Sequence, residues 1–316
     1  MARPDVVITE FMDESAVEAL RAQYDVLYDA TLVDRQADLL ATLVGARALI
    51  VRNRTQVNTA LLEAAPGLVV VGRLGVGLDN IDLPACRARH IEVIPATGAN
   101  ALAVAEYVIA TAMVLLRGAY LSSAEVAAGN WPRPRLSGGR EIGGKTLGLV
   151  GFGGIGRLTA RLAQALGMHV LAHDPLVAPD DALWARHDVA PRDIDALLAE
   201  ADVVSLHVPL TDATRGLMDP ARIARMKPGA VLINTARGGI VNEPALADAL
   251  REGRLAGAAL DVFDREPLPA GSPLAGTPNL ILTPHIGGVT RESNTRVSTL
   301  IAQKVGAFLR ECGQPS

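Results

Sequence analysis

The chain has 316 residues, long for a single hydrophobic core, so its length points to two domains. With 49% hydrophobic and 20% charged residues it has the composition of a soluble globular protein, and its net charge of −4 comes from interspersed acids and bases, which argues against a nucleic-acid footprint. Cys86 and Cys312 stand apart without a CxxC or Cys/His spacing, so neither a disulfide framework nor a zinc site is indicated, and a reducing cytoplasm fits.

The N-terminus runs directly into a strand pattern at 5–10, without the apolar core and cleavage site of a signal peptide. Strand patterns at 24–29, 48–52, 68–73 and 92–97 follow, separated by helical patterns at 15–23, 34–43 and 58–64. Such alternation predicts a parallel sheet covered on both faces. A helix is expected over 100–117. Its most apolar part, 101–116, is 16 residues long and carries Glu106, too short for a membrane span, and is read as a helix buried between domains or subunits. A helical pattern at 120–128 and the link NWPRPRLSGGR complete this region.

Residues 145–174 form one βαβ pattern: a buried strand, a glycine-rich turn (Gly151, Gly153, Gly156), a periodic helix, a second strand and a terminal acid. One glycine lets the chain turn sharply, one lets backbone approach a pyrophosphate, and one lets helix and strand pack closely. The helix N-terminus offers free N–H groups and a positive dipole end to that anion. Asp174 follows Gly156 by 18 residues, the spacing at which a carboxylate reaches the ribose hydroxyls of NAD and repels a 2′-phosphate. Further strands at 203–210, 230–239, 257–263 and 280–285, with helices near 220–226 and 243–252, bring this sheet to about six parallel strands. The last helix, 290–312, comes after that sheet is full and is expected to return to the first domain. The fold class predicted is therefore α/β, with two Rossmann-like or flavodoxin-like domains and the active site in the cleft between them. Residues 1–99, completed by 288–316, form the substrate-binding domain, and 100–287 the NAD-binding domain.

Ligands of open α/β sheets bind beyond the carboxyl ends of the strands. Arg237, Glu266 and His285 lie at such ends. Singly, each reads equally well as a surface charge, a solvated acid or a capping group. Together they supply what hydride transfer at a hydroxyl-bearing carbon requires: a base that titrates near neutrality, its electrostatic partner, and a cation for a carboxylate. His285 would take the hydroxyl proton, Glu266 would fix the ring tautomer and stabilise the imidazolium, and Arg237 would grip the substrate carboxylate in a forked pair.

The runs GFGGIG, HVPLTDATRGLM, LINTARGGIVNEPAL, AALDVFDREPLP and LTPHIGG, preceded by VRNRTQV, LEAAPGLVVVGRLGVGLDNID and GANALAVAEYVIA, resemble the D-isomer-specific 2-hydroxyacid dehydrogenase family over nearly the whole chain. The resemblance implies that Arg237, Glu266 and His285 are the catalytic set and that NAD is the cofactor. It implies that Gly154 and Ile155 meet the pyrophosphate, that His207, Val208, Thr235 and Ala236 line the cofactor, and that Asp261 holds the nicotinamide carboxamide. The family's substrate-carboxylate loop matches Leu74, Gly75, Val76 and Gly77. Two positions depart from the family pattern: Gly154 stands where many relatives have arginine, and GAN-A at 98–101 replaces a segment that carries a hydroxyl. The family is usually dimeric, and the apolar face of 101–116 with the Trp131 segment is the expected homodimer contact.

Arg52, Arg54 and Arg73 sit at or just past strand ends of the first domain, with Asn53 between the first two. They are equally readable as solvated charges or salt bridges, but a second anionic group on a small-molecule 2-hydroxy or 2-oxo acid would explain them. A three-carbon acid with a terminal phosphate or sulfonate is the shortlist. The combination VRNRTQV, GRLGVGLDNID and IPATGANALAVAEYV is most similar to the branch that acts on the sulfonate. An NAD-binding corepressor of the same fold is the alternative of another class. No metal, nucleic acid or membrane is expected as a partner.

Overall fold

A computed structural model describes residues 4–312. These divide into two compact units, one formed by residues up to Asn100 together with those from Val289 on, the other by Ala101–Gly288.

The first unit is built on five parallel strands, β1 (Val6–Ile8), β2 (Val26–Tyr28), β3 (Ala48–Val51), β4 (Val70–Arg73) and β5 (Glu92–Pro95), in the order β2-β1-β3-β4-β5. The central strands β1 and β3 are buried at every residue, which is why they read as unbroken apolar runs. One face is covered by Leu39, Leu43, Leu61, Leu62 and Cys86. The other is covered by the helix Arg291–Glu311, whose Val297, Ile301, Val305 and Leu309 recur every fourth residue and pack on Val6, Ile8, Ile50 and Val70. Gly72 in β4 allows this close seat, since a side chain there would press on Ile301 and Val305. The pattern at 34–43 resolves into a helix Gln36–Thr42 between two 3₁₀ turns, Leu32–Asp34 and Leu43–Gly45. A helix that the periodicity did not reveal, Leu83–Ala88, starts where the Asp82 side chain accepts the Ala85 N–H and Pro84 enters the first turn.

The second unit has seven parallel strands where about six were expected: β6 (Thr146–Val150), β7 (His169–His173), β8 (Ala190–Pro191), β9 (Val203–Leu206), β10 (Val231–Asn234), β11 (Gly257–Leu260) and β12 (Leu280–Leu282). Their order is β12-β11-β10-β9-β6-β7-β8. The extra strand β8 has two residues and lies between two short helices absent from the sequence reading, Ala182–Arg186 and Ile194–Glu200, capped by the side chains of Asp181 and Asp193. On one face of the helix Ala101–Arg117, Val108, Ile109, Ala112, Leu115 and Leu116 pack on Leu147, Leu149, Val231 and Ile233 of its own sheet, while Leu102 and Met113 on the helix are exposed. The pattern at 120–128 becomes a 3₁₀ turn and the short helix Ser123–Ala127.

In each sheet the strand order reverses once, between β1 and β3 in the first unit and between β6 and β9 in the second. Crevices at such reversals, beyond the carboxyl ends of the strands, are where open α/β sheets take ligands.

Candidate active site

At the reversal in the second unit, the chain leaves β6 through Gly151, whose φ of +99° suits glycine and where a side chain would strike the His207 carbonyl. Gly156 packs equally closely, against the Gly151 carbonyl. Between them, a side chain added at Gly153 or Gly154 would meet no atom within 4 Å. The helix Gly154–Ala165 starts here with no side chain capping it, so the N–H groups of its first turn, Ile155 included, face this opening. Phe152 is buried beneath the loop, stacked on Trp184 with ring centroids 4.9 Å apart and met edge-on by His187.

Asp174, at the end of β7, accepts the Phe152 N–H on Oδ2 at 2.8 Å and the Leu176 N–H on Oδ1 at 3.0 Å, which fixes its carboxylate beside the loop. His207 and Val208 leave the neighbouring strand β9. The His207 Nε2 lies 3.0 Å from the Ser205 hydroxyl, and burial pushes the imidazole pKa down to about 4, so the ring is neutral near pH 7. Thr235 follows β10, and its Oγ1 is buried without a hydrogen-bond partner among the described residues. An open, uncapped helix N-terminus, a carboxylate at the next strand end and an orphaned hydroxyl fit a bound dinucleotide. Gly151, Gly153, Gly154, Ile155 and Gly156 would hold its pyrophosphate, Asp174 its ribose, and His207, Val208, Thr235 and Ala236 its remaining length.

Arg237, Glu266 and His285 come from the loops after β10, β11 and β12, three consecutive strands of the sheet. His285 Nδ1 and Glu266 Oε2 are 2.8 Å apart, with the side chains 39% and 36% exposed. A carboxylate only accepts, so Nδ1 carries the proton and Nε2 is left with its lone pair directed away from Glu266, as a base requires. The other Glu266 oxygen accepts the Phe263 N–H at 3.1 Å. His285 has a φ of +55°, unusual for a non-glycine residue, and its N–H donates to the Asp261 carbonyl at 2.8 Å and the Thr283 carbonyl at 3.0 Å. Asp261 is 1% exposed. Its Oδ1 accepts from the Thr283 hydroxyl at 2.6 Å and the Ile286 N–H at 2.8 Å, and its Oδ2 from the Gly287 N–H at 2.7 Å. The carboxylate is thus engaged along the whole turn that carries His285.

The Arg237 turn is clamped by Asn234, a buried residue that sequence reading passed over. Its Oδ1 accepts the Ala236 N–H at 3.0 Å and its Nδ2 donates to the Arg237 carbonyl at 2.9 Å. The Arg237 guanidinium donates to the Ala236 carbonyl at 2.6 Å. Gly238 presses on the Phe263 carbonyl so closely that no side chain fits, and the Gly239 N–H donates to Asp264 Oδ1 at 2.7 Å. The Asp264 N–H in turn donates to the buried Glu243 at 2.8 Å, whose carboxyl pKa is raised by burial. These contacts join the Arg237 and Glu266 turns into one block.

In the first unit the reversal is closed by its own chain. Glu10, 4% exposed, follows β1 and reaches the loop after β3. Its Oε1 accepts the N–H groups of Arg52 and Thr55 at 2.9 and 3.0 Å, and its Oε2 those of Asn53 and Arg54 at 3.3 and 3.1 Å. The amides of this loop are thereby spent, and its side chains are what it presents. Arg52 donates to Asn294 at 2.8 Å and lies over the Phe11 ring. Arg54 is paired with Asp34. Arg73 donates to the Leu74 carbonyl at 3.0 Å, and its guanidinium lies so close to Gly75 that a side chain there would displace it. The Leu74 and Gly75 N–H groups donate to the Val51 and Arg73 carbonyls, both at 2.8 Å, while Val76 is exposed.

Comparisons with known proteins agree with this architecture. The family model described as D-isomer specific 2-hydroxyacid dehydrogenase, NAD binding domain, matches residues 109–287. The chain is 58% identical over 301 residues to the (S)-sulfolactate dehydrogenase of Chromohalobacter salexigens, covering 95% of this chain and 97% of that one. It is 42% identical to the D-3-phosphoglycerate dehydrogenase of Mycobacterium leprae, covering 96% of this chain but 57% of that protein, so it spans little more than half of that relative's length. Among solved structures, the NAD-dependent formate dehydrogenase of Staphylococcus aureus, in complex with NAD, is 27% identical with a TM-score of 0.80, covering 98% of this chain and 97% of that one. The chain belongs to the D-isomer-specific 2-hydroxyacid dehydrogenase family and is an NAD-dependent oxidoreductase.

Proposed function

We propose that the protein oxidises (S)-sulfolactate to 3-sulfopyruvate, reversibly, with His285, Glu266 and Arg237 as its catalytic residues. The observation that carries the reaction class is the His285–Glu266 contact at 2.8 Å, which leaves Nε2 as a base beside the carboxyl ends of β10–β12. His285 removes the hydroxyl proton and returns it in the reverse direction, Glu266 holds the ring and stabilises the imidazolium, and Arg237 holds the carboxylate and polarises the adjacent carbonyl. Bound NAD supplies the acceptor for the hydride.

The substrate is suggested by the 58% identity to a protein named (S)-sulfolactate dehydrogenase. Stereochemistry is consistent with this. Sulfur outranks the carboxylate in the priority rules, so (S)-sulfolactate arranges its groups in space as a D-2-hydroxyacid does. Arg52, Arg54 and Arg73, with Asn53, suit the terminal anion, and the Leu74–Gly77 loop suits the carboxylate through the amides of Val76 and Gly77. The 42% identity to a D-3-phosphoglycerate dehydrogenase favours a second reading, a terminal phosphate in place of the sulfonate.

The test is initial NADH formation with racemic sulfolactate, D-3-phosphoglycerate, D-lactate and D-glycerate. Sulfolactate is expected to give the highest kcat/KM. A higher value with 3-phosphoglycerate replaces the substrate, and NADH binding without turnover of any hydroxy acid points instead to a corepressor-like role. We further propose a cytoplasmic homodimer, suited by two free cysteines and by the exposed apolar side chains of Leu102, Met113, Tyr120 and Trp131, the last 76% exposed. Among the described residues no helix is long and apolar enough to cross a membrane.

A further inference from the structure

Asp261 grips the turn that carries His285, but the grip does not end with Asp261. Thr283 Oγ1, which donates to Asp261 Oδ1 at 2.6 Å, also lies 2.7 Å from the hydroxyl of Tyr107, a residue 176 positions earlier in the chain. The direction of this chain follows from its end. The carboxylate can only accept, so the single Thr283 hydrogen is committed to Asp261, and the Tyr107 hydroxyl must donate to Thr283. Burial, reinforced by the nearby Asp261 charge, raises the Tyr107 pKa above its ordinary value, while the Thr283 bond opposes this; the phenol therefore keeps the proton it donates. Tyr107 stands on the helix Ala101–Arg117, beside the buried residues Val104, Val108 and Thr111. The face of the helix next to Tyr107 is held on its own sheet through Val108 and Leu115, which pack with Leu147, Leu149 and Ile233.

We infer that Tyr107 is a positioning residue for His285, acting through Thr283 and Asp261 to hold the 283–287 turn against a rigid helix. The inference rests on the catalytic reading of His285. Its physical basis is the backbone of that histidine: a φ of +55° persists only where surrounding contacts impose it, and here they are the Asp261 carbonyl and carboxylate, with Thr283 joining them to Tyr107. Gly287 belongs to the same arrangement, since a side chain there would press on Asp261 Oδ2, whose bond to the Gly287 N–H is 2.7 Å. Loss of the Tyr107 hydroxyl leaves the ring in place and removes one link from the support of the turn. The base then samples misaligned positions, and the chemical step slows while cofactor binding stays as it was.

Tyr107→Phe is expected to lower kcat roughly tenfold, the value of one well-placed hydrogen bond. The NADH Kd should stay within about twofold and the primary deuterium isotope effect on kcat should rise, because the chemical step becomes more fully rate-limiting. The isotope effect is measured with C2-deuterated sulfolactate, or with C2-deuterated D-3-phosphoglycerate if the enzyme prefers it. Thr283→Val should show the same pattern and Thr283→Ser should restore it. Wild-type kcat and isotope effect in Tyr107→Phe overturn the inference. So does a fall in activity that merely tracks a lower Tm and a smaller active fraction with the isotope effect unchanged, or a Thr283→Ser variant no better than Thr283→Val. His285→Ala separates the two levels: if it retains turnover, the catalytic reading fails and this inference with it. If it is inactive while Tyr107→Phe is indifferent, only the Tyr107 chain fails.

Discussion

The two units contain the same topological device and use it in opposite ways. In the second, the reversal between β6 and β9 opens onto Gly153 and Gly154, where an added side chain would meet no neighbour and the helix start has no side-chain cap. In the first, the reversal between β1 and β3 also gathers backbone N–H groups, those of residues 52–55, but Glu10 occupies all four. A parallel sheet with a strand-order reversal creates an anion cradle whatever the sequence, and one side chain decides whether the anion comes from outside or from the chain itself. In the second unit the cradle is left to a ligand; in the first it has become part of the fold, and side chains, those of Arg52, Asn53 and Arg54 among them, are what it presents.

The contrast implies that damage at the first cradle costs stability and damage at the second costs binding. Glu10→Ala should lower the free energy of unfolding by about 3–5 kcal/mol, because four backbone donors lose their buried, charged acceptor, with Glu10→Gln recovering part of the loss. Urea melts at pH 7 measure this, and a loss under about 1 kcal/mol would mean the 52–55 loop is held by its other contacts. His207 bears on the second cradle through pH. Its folded pKa of about 4 lies below the ordinary 6.5, so the unfolded chain takes up the proton first. The stability it contributes is fully present above pH 6.5 and is lost as the pH falls toward 4, by up to about 3 kcal/mol. His207→Gln should flatten that acid limb in unfolding measured between pH 7 and 4.5.

Gly153→Val fills the open cradle, and NADH affinity, followed by fluorescence titration, should fall about 30-fold while the unfolding free energy changes by less than about 1 kcal/mol. Equal losses in both would erase the distinction between the cradles. The smallest expected effect is at Asp174. Asp174→Ala should raise the NADP to NAD ratio of kcat/KM about tenfold, and an unchanged ratio removes the ribose role.

What the sequence revealed was what is local. Strands β6 and β7, the helix between them and the acid after them lie within thirty consecutive residues, 145–174, in the order the pattern indicated. The helices Leu83–Ala88, Ala182–Arg186 and Ile194–Glu200 were not legible by periodicity because two turns or fewer are too short to display it. Their capping aspartates, Asp82, Asp181 and Asp193, were the available signal. The carboxyl-end rule singled out Arg237, Glu266 and His285, and the structure brings His285 and Glu266 into contact. It could not single out Glu10, Asn234 or Tyr107. Glu10 reads as a solvated acid because its partners lie more than forty residues away, and Tyr107 reads as one more residue of an apolar helix until β12 places Thr283 against it.

The chain has two tryptophans, and they stand in contrasting surroundings. Trp184 is stacked on Phe152 beneath the glycine loop, while Trp131 is among the most exposed side chains. Replacing Trp131 by phenylalanine leaves a single emitter in an apolar setting, one ring removed from the loop. Its emission overlaps the near-ultraviolet absorption of a reduced nicotinamide, so energy transfer from Trp184 gives the protein a built-in optical gauge of cofactor occupancy that needs no label and no turnover.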